Sequence, residues 1–313
     1  MNEMSFYSNG TIPKQGFLLT GIAKDNLGEH RFLSSERDFP ENVSDFFVEK
    51  ISTKPRMVIC GGGHVARPLA KMASMAAFSV VVIDNRAEFA CKEFFPTADE
   101  IICGEFDRVL KDFSYQPNDF FVIVTSGHSA DRICLREILL HPCAYVGMIG
   151  SKRKNFIIFQ HLLNEGFSQE KLDEVCAPIG LAIKAETPAE IAVSILGETI
   201  LRRREIGDVT VLDEDFFRAV NSGDKLVLAT VLDAEGSTPA KLGGRMVISA
   251  AGVIYGTVGG GSAEYEIICH GQKMIENPTL SDAEIHWVKM TNSDAENQGM
   301  ICGGSVKVLL EFV

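Results

Sequence analysis

MVICGGGHVARPLAKMA (Met57–Ala73) decides the fold. It reads as a buried strand, a glycine turn and a helix. Gly61 to Ala66 fit G-x-G-x-x-G/A, and Asp84 ends the next apolar run, SVVVIDN (Ser79–Asn85), about 20 residues on as the dinucleotide motif requires. Gly61 permits the tight turn, Gly63 lets a pyrophosphate approach the backbone, and Ala66 keeps the helix close to the sheet. N–H groups at the helix start, beside His64, face the phosphates. Asp84 would accept hydrogen bonds from a ribose 2′-hydroxyl and repel a 2′-phosphate, which favours an NAD-like ligand over an NADP-like one. The same topology also serves domains that bind another nucleotide or none.

Outward from this unit, DEIICGE (Asp99–Glu105), DFFVIVTSG (Asp119–Gly127) and AYVGMIGS (Ala144–Ser151) are further apolar runs, separated by helical stretches such as Arg132–Leu140. Apolar strands alternating with helices predict a parallel sheet covered on both faces. Thr187 and Glu190 form a capping box with Pro188 at the first helical position, so a helix starts there. It runs to Arg202–Arg204, cations suited to the negative end of its macrodipole. A domain boundary follows near Glu205–Asp208.

Two strand-end turns in this region carry candidate ligand groups. In Thr125-Ser126-Gly127-His128, with Asp131 nearby, His128 reads as a base, an anion contact or a turn residue capping the next helix. In Gly147 to Lys154, Ser151, Lys152 and Arg153 suit a phosphate; a solvated basic turn is the alternative.

The last hundred residues differ. KLVLATVLDAEGSTP, GRMVISAAGVIYGTVGGGSAE and GSVKVLLEFV read as strands joined by glycine turns, with a helix over Ala263–Glu276. Of the 28 glycines, twelve fall between Gly236 and Gly304. Six of them lie in three loops: Gly236-Ser237-Thr238-Pro239, Gly259-Gly260-Gly261-Ser262 with Glu264, and Met300 to Gly304. Consecutive glycines expose N–H groups as an anion nest requires. Ser237, Thr238 and Ser262 add hydroxyls, and Arg245 adds charge. If the loops converge they surround Cys302, whose thiol beside glycine N–H groups suits a soft metal or sulfur transfer; a buried structural cysteine is the plain alternative.

The expected class is therefore α/β: a Rossmann-like parallel-sheet domain over residues 55–206 plus a smaller α+β glycine-rich domain over 207–313. Its 313 residues match a two-domain prior. Residues 1–54 hold short strands, GFLLTGIA (Gly16–Ala23) and DFFVEKI (Asp45–Ile51). The latter echoes VLLEFV (Val308–Val313). Either the two are strands of similar type, or the N-terminal segment adds a strand to the C-terminal domain, within one chain or across a dimer.

A net charge of −12 argues against nucleic acid as a partner. The eight cysteines form no C-x-x-C pair and no zinc spacing. There is no basic and apolar leader at Met1–Gly10 and no apolar run of about 18 residues, so neither secretion nor a membrane is expected. Free thiols fit the cytoplasm.

GGGHVARPLA, TSGH, YVGMIGSKRK, APIGL and AETPAEIAVSI together resemble the Rossmann domain of the XdhC/CoxI family of xanthine dehydrogenase accessory proteins. EGSTPAKLGGRMVIS, GTVGGGSAE and GMICGG resemble the family's other domain. The resemblance implies a factor that binds the molybdenum–pterin cofactor (molybdopterin) as cargo and supports its sulfuration by a cysteine desulfurase. It then delivers the cofactor to the apo-enzyme of a molybdenum hydroxylase. Such a protein is a cofactor chaperone more than a catalyst and is expected to be a homodimer, with Cys302 as the reactive thiol and the contact to molybdenum. An NAD-like adenine nucleotide at Gly61, Gly63 and Asp84 is the second ligand it allows. The chain departs from the family pattern in three ways. Its glycine-rich domain comes second, Ser262 stands where many relatives have Cys, and Cys176, Ala182 and Lys184 replace the His, Asp and second Gly of H-x-P-I-G-L-D-I-G. Two rival readings are an NAD-dependent oxidoreductase and a nucleotide-sensing regulatory module.

Overall fold

A computed structural model describes residues 15–207, 209–212, 214–223, 225–277, 282–290 and 304–313. The chain divides into two compact units, Lys54–Asp208 and Met1–Thr53 with Val209–Val313.

Three strands open the chain: β1 (Gln15–Gly21), β2 (His30–Leu33) and β3 (Phe46–Ser52). They form an antiparallel sheet in the order β2-β1-β3. The β2 strand, HRFL, lacks an apolar run and carries no strand signal in the sequence.

The Rossmann unit follows, with β4 (Arg56–Cys60), α1 (Ala66–Met75), β5 (Ser79–Asp84), β6 (Glu100–Cys103), α2 (Phe106–Lys111), β7 (Asp119–Ile123), α3 (His128–Ile138), β8 (Tyr145–Met148), α4 (Lys152–Asn164), α5 (Gln169–Asp173) and α6 (Pro188–Glu205). Its five strands are all parallel, in the order β6-β5-β4-β7-β8. Both faces are dry, which explains the unbroken apolar runs. Ile59, Val82 and Val122 pack on one side with Leu69 of α1 and Ile195 of α6. Their chain neighbours Val58, Val81 and Phe121 pack on the other with Leu110 of α2, Leu135 of α3 and Ile158 of α4. The period-2 alternation of strand side chains thus feeds two cores. The α6 capping box is present as expected: Thr187 accepts from the Glu190 N–H, and the Glu190 side chain accepts from the Thr187 N–H.

The remainder forms α7 (Glu214–Val220), β9 (Val227–Gly236), β10 (Arg245–Ser249), β11 (Gly252–Gly256), α8 (Gly261–Glu276), β12 (Ala283–Met290) and β13 (Gly304–Phe312). The antiparallel sheet runs β11-β10-β9-β13-β12. Ala229, Met246 and Val308 face α8. Leu228 and Val247 face away from it, onto Leu18 and Ile51 of the N-terminal sheet and Phe216 of α7. Gly271 lets α8 settle on the sheet, since a Cβ there would stand 2.7 Å from Ile248 Cδ1.

The N-terminal segment lies in one compact unit with residues 209–313, as a sheet of its own. Asp45–Ile51 does not extend the C-terminal sheet. The β3 strand pairs with β1, and β13 pairs with β9 and β12. The segment instead builds a second sheet that packs on the first within the same unit. Glu49 of β3 and Arg245 of β10 join them in a bidentate ion pair of 3.0 and 2.5 Å, both side chains 4% exposed. Removing one partner from such a pair costs roughly 3–5 kcal/mol, because the other charge is left buried. Among the described residues, no helix is long and apolar enough to cross a membrane.

Candidate functional site

The glycine turn lies between β4 and α1, where the strand order reverses and open α/β sheets bind ligands. Gly61 has φ +114°, and a Cβ there would stand 2.6 Å from the Val124 carbonyl oxygen. Only glycine passes so close under the end of β7. Gly63 has open space where a side chain would be. Val65 caps α1 without a side-chain hydrogen bond, and Ala66 is fully buried against the core. His64 is exposed on the turn. The Gly61 and Gly62 N–H groups are spent on the Ile83 carbonyl and Asp84, so the room for a phosphate lies at Gly63 and the uncapped start of α1.

Asp84 is not placed as the sequence suggests. It is 1% exposed. Its Oδ2 accepts from the Gly62 N–H at 2.6 Å and from Arg86 Nη2 at 2.9 Å. Its Oδ1 accepts from the Arg86 N–H and Nε, both at 2.9 Å. Burial pushes this carboxyl up, but the Arg86 guanidinium and the two backbone N–H groups outweigh it and hold the group below its ordinary value. The acid braces the turn and has no oxygen left for a ribose. Arg86 itself lies over the Phe89 ring at 3.9 Å. Arg67, in the first turn of α1, stacks on Phe94 at 3.4 Å and lies 5.7 Å from the centre of the Phe89 ring. These two arginines went unread in the sequence. The available signal was an arginine two residues beyond the acidic strand end.

The ends of β7 and β8 add the second half of the crevice. His128 is exposed as the first residue of α3, behind a Gly127 cap. Ser151 caps α4, its Oγ accepting from the Lys154 N–H at 3.3 Å, and Lys152 and Arg153 stand exposed in the first turn. Cations at a helix N-terminus oppose the macrodipole, which makes this end attractive to an anion. Lys154 is committed differently: it pairs with buried Asp131 at 2.5 Å, whose other oxygen accepts from Thr125 at 2.6 Å. Gly61, Gly63, His64, Asp84, His128, Ser151, Lys152 and Arg153 therefore all sit at the carboxyl end of one parallel sheet.

In the other unit, Gly236 ends β9 with φ +74° and stands opposite Gly304 in the β9–β13 register. Gly259 presses on the first loop, where a Cβ would meet Ala240 Cα at 2.7 Å. The Gly236 and Gly259 loops are therefore neighbours, beside the start of β13. Cys302 lies outside the described residues, as do Met300, Ile301 and Gly303. Thr238 Oγ1 accepts from the Ala240 N–H at 3.2 Å, while Ser237 and Pro239 are exposed. Gly259, Gly260 and Gly261 all have positive φ, and Ser262 lies in the first turn of α8. Glu264 fills the nest these glycines make. Its Oε2 accepts from the Val258 and Gly260 N–H groups, both at 3.1 Å, and from the Thr257 hydroxyl. Arg245 does not lend its charge to these loops: it is 6% exposed and spent on Glu49 and the Gly243 carbonyl. Its partner comes from a sheet 196 residues away in sequence.

Cys176, in the APIGL segment, is half-buried beside Glu198 and Arg202; burial and the Glu198 carboxylate push its thiol up to about 11. Glu198 anchors this segment by accepting from Tyr145 at 2.8 Å and the Gly180 N–H at 2.6 Å. Among the described residues, no group of three or more His, Cys, Asp or Glu is arranged to hold a metal ion.

Comparison with known proteins agrees with this architecture. A curated relative from Bacillus subtilis, named as a probable xanthine dehydrogenase subunit, is 30% identical over 171 residues, covering 54% of this chain and 49% of its own. The uncharacterized protein YqeB of Escherichia coli is 32% identical over 155 residues, 49% of this chain and 28% of that one. The chain thus spans half or less of the length of these curated relatives. A crystal structure of a xanthine dehydrogenase from Bacillus halodurans aligns with a TM-score of 0.53 and 30% identity, over 61% of this chain and 60% of that chain. The XdhC Rossmann domain model matches residues 57–199, and the XdhC and CoxI family model matches residues 219–281. With both halves of the pattern present, the chain belongs to the XdhC/CoxI family.

Proposed function

We propose that this chain is an accessory factor for a xanthine dehydrogenase-type molybdenum hydroxylase. It binds the molybdenum–pterin cofactor as cargo, supports its sulfuration by a cysteine desulfurase, and delivers it to the apo-enzyme. The observation that carries this reading is the meeting of the Gly236 and Gly259 loops beside Gly304, two residues after Cys302 in the chain. Gly236, Ser237, Thr238, Pro239, Gly259, Gly260, Gly261 and Ser262 supply backbone N–H groups and hydroxyls for the pterin phosphate. The Val258 and Gly260 N–H groups already hold the Glu264 carboxylate, so they suit an oxyanion, and the phosphate takes the place of that carboxylate. Cys302 supplies a thiolate to the molybdenum or carries the sulfur. The Rossmann unit holds a nucleotide at Gly61 and Gly63, its phosphates on the start of α1. The factor works as a homodimer in the reducing cytoplasm, where its thiols stay free.

The test uses the purified full chain and molybdenum cofactor released from a donor enzyme. Pterin fluorescence and molybdenum should co-elute with the protein. The Cys302→Ala variant should retain less molybdenum or yield a client enzyme with less sulfido ligand. Absence of both pterin and molybdenum from the protein peak, with normal hydroxylase activity in a strain lacking the gene, would overturn the reading.

A further inference from the structure

We infer that the nucleotide held at Gly61–Gly63 carries a phosphate on the 2′ position of its adenosine ribose, and that Arg86 reads that phosphate. This rests on the nucleotide reading of the Rossmann unit and adds the class of nucleotide.

A plain ribose needs an acceptor for its 2′-hydroxyl, and Asp84 ends the strand where that acceptor belongs. A carboxylate has about four lone-pair sites. All are used here: four donors approach the two oxygens at 2.6–2.9 Å, and the group is 1% exposed. Asp84 thus offers nothing to a hydroxyl. Its negative charge, the usual reason for rejecting a 2′-phosphate, is already neutralised by Arg86.

The hydrogen-bond donors left over beside the turn belong to two arginines. The Arg86 side chain is 33% exposed. Its Nε and Nη2 bind Asp84, which leaves Nη1 with two N–H donors. The Phe89 face at 3.9 Å keeps the guanidinium plane in place. Arg67 is the second cation; its Nε is buried and has no hydrogen-bond partner among the described residues. Both arginines border the glycine turn itself. A Cβ on Gly62 would stand 3.2 Å from Phe89 Cβ and 3.4 Å from Asp84 Oδ2, so the Phe89 segment lies directly over the turn. Two guanidinium groups around one phenyl ring, beside a saturated acid, form a corner that suits an anion with several acceptor oxygens.

Calorimetric titration of the full chain with NADP+ and with NAD+ tests this. NADP+ should bind about tenfold tighter or more, the worth of one charge-assisted hydrogen bond. In Arg86→Ala the preference should vanish or reverse, because Asp84 regains free oxygens for a 2′-hydroxyl. Arg86→Lys keeps the charge but loses the fork, and should reduce the preference without reversing it. Arg67→Ala should weaken NADP+ without improving NAD+. A circular dichroism melt of each variant separates loss of binding from loss of fold. Equal or tighter binding of NAD+ by the wild type overturns the inference, as does a ratio unchanged in folded Arg86→Ala and Arg86→Lys. If neither dinucleotide binds, the nucleotide reading itself fails and this inference goes with it.

Discussion

The chain contains two runs of three glycines that each open a helix, and they are completed in opposite ways. At Gly61–Gly63 the adjacent acid, Asp84, turns inward to brace the loop, and two arginines border the open side. At Gly259–Gly261 the adjacent acid, Glu264, sits on the backbone N–H groups and acts as a built-in anion. In the first turn the acid takes the Gly62 N–H and is itself paired with Arg86. The second is already satisfied, and an incoming oxyanion must compete with an internal one. The same glycine run therefore means different things according to where one carboxylate points.

The largest test of this contrast is alanine in each turn. Gly61→Ala combines a strained φ with a 2.6 Å clash against the Val124 carbonyl, and should cost roughly 2–5 kcal/mol. Gly260→Ala meets no neighbour and pays only for its backbone angles, φ 79° and ψ −176°, about 1–3 kcal/mol. Urea unfolding of both variants checks the order. A Gly260→Ala penalty equal to that of Gly61→Ala would mean that close approach does not distinguish the turns.

Next in size is Glu264→Gln. Losing charge-assisted bonds to two backbone N–H groups and the Thr257 hydroxyl should cost about 1–2 kcal/mol. It should also raise the affinity of the glycine-rich unit for inorganic phosphate, read by phosphate-dependent shifts in melting temperature. If phosphate stabilises wild type and variant alike, Glu264 is not the competitor.

The smallest effect concerns pH. The folded Asp84 carboxyl titrates below its unfolded value, so its contribution is fully present above that unfolded value and is lost as pH falls through the folded one. Stability of the Rossmann unit should decline below about pH 4, and Asp84→Asn should flatten that part of the profile while lowering stability at neutral pH. An acid limb unchanged by the substitution would assign it to other carboxylates.

Much of this molecule is local and was legible along the chain. The strand–turn–helix at Met57–Ala73, the five parallel strands and the Thr187 capping box depend on periodicity, on φ and on donors within a few residues. These are properties of residue types in order. The short β2 strand was not legible, because HRFL is four residues long with no polar–apolar alternation; it is a strand only because β1 lies beside it. The other two strands of the N-terminal sheet were legible, but not their pairing or their burial, which depends on Leu228 and Val247 arriving on the sheet's face.

The electrostatics divided differently. Candidate charged groups could be named from the sequence, but not which opposite charge each would find. Arg245 looked available to the glycine loops and is instead locked to Glu49. Asp84 looked open to a ribose and is held by its own neighbour but one. A charge in a low-dielectric interior takes whichever partner the packing brings within about 3 Å, since leaving it alone costs several kcal/mol. Residue order therefore specified the turns and the sheet, while the folded chain alone decided which charges were spent on itself and which were left for a ligand.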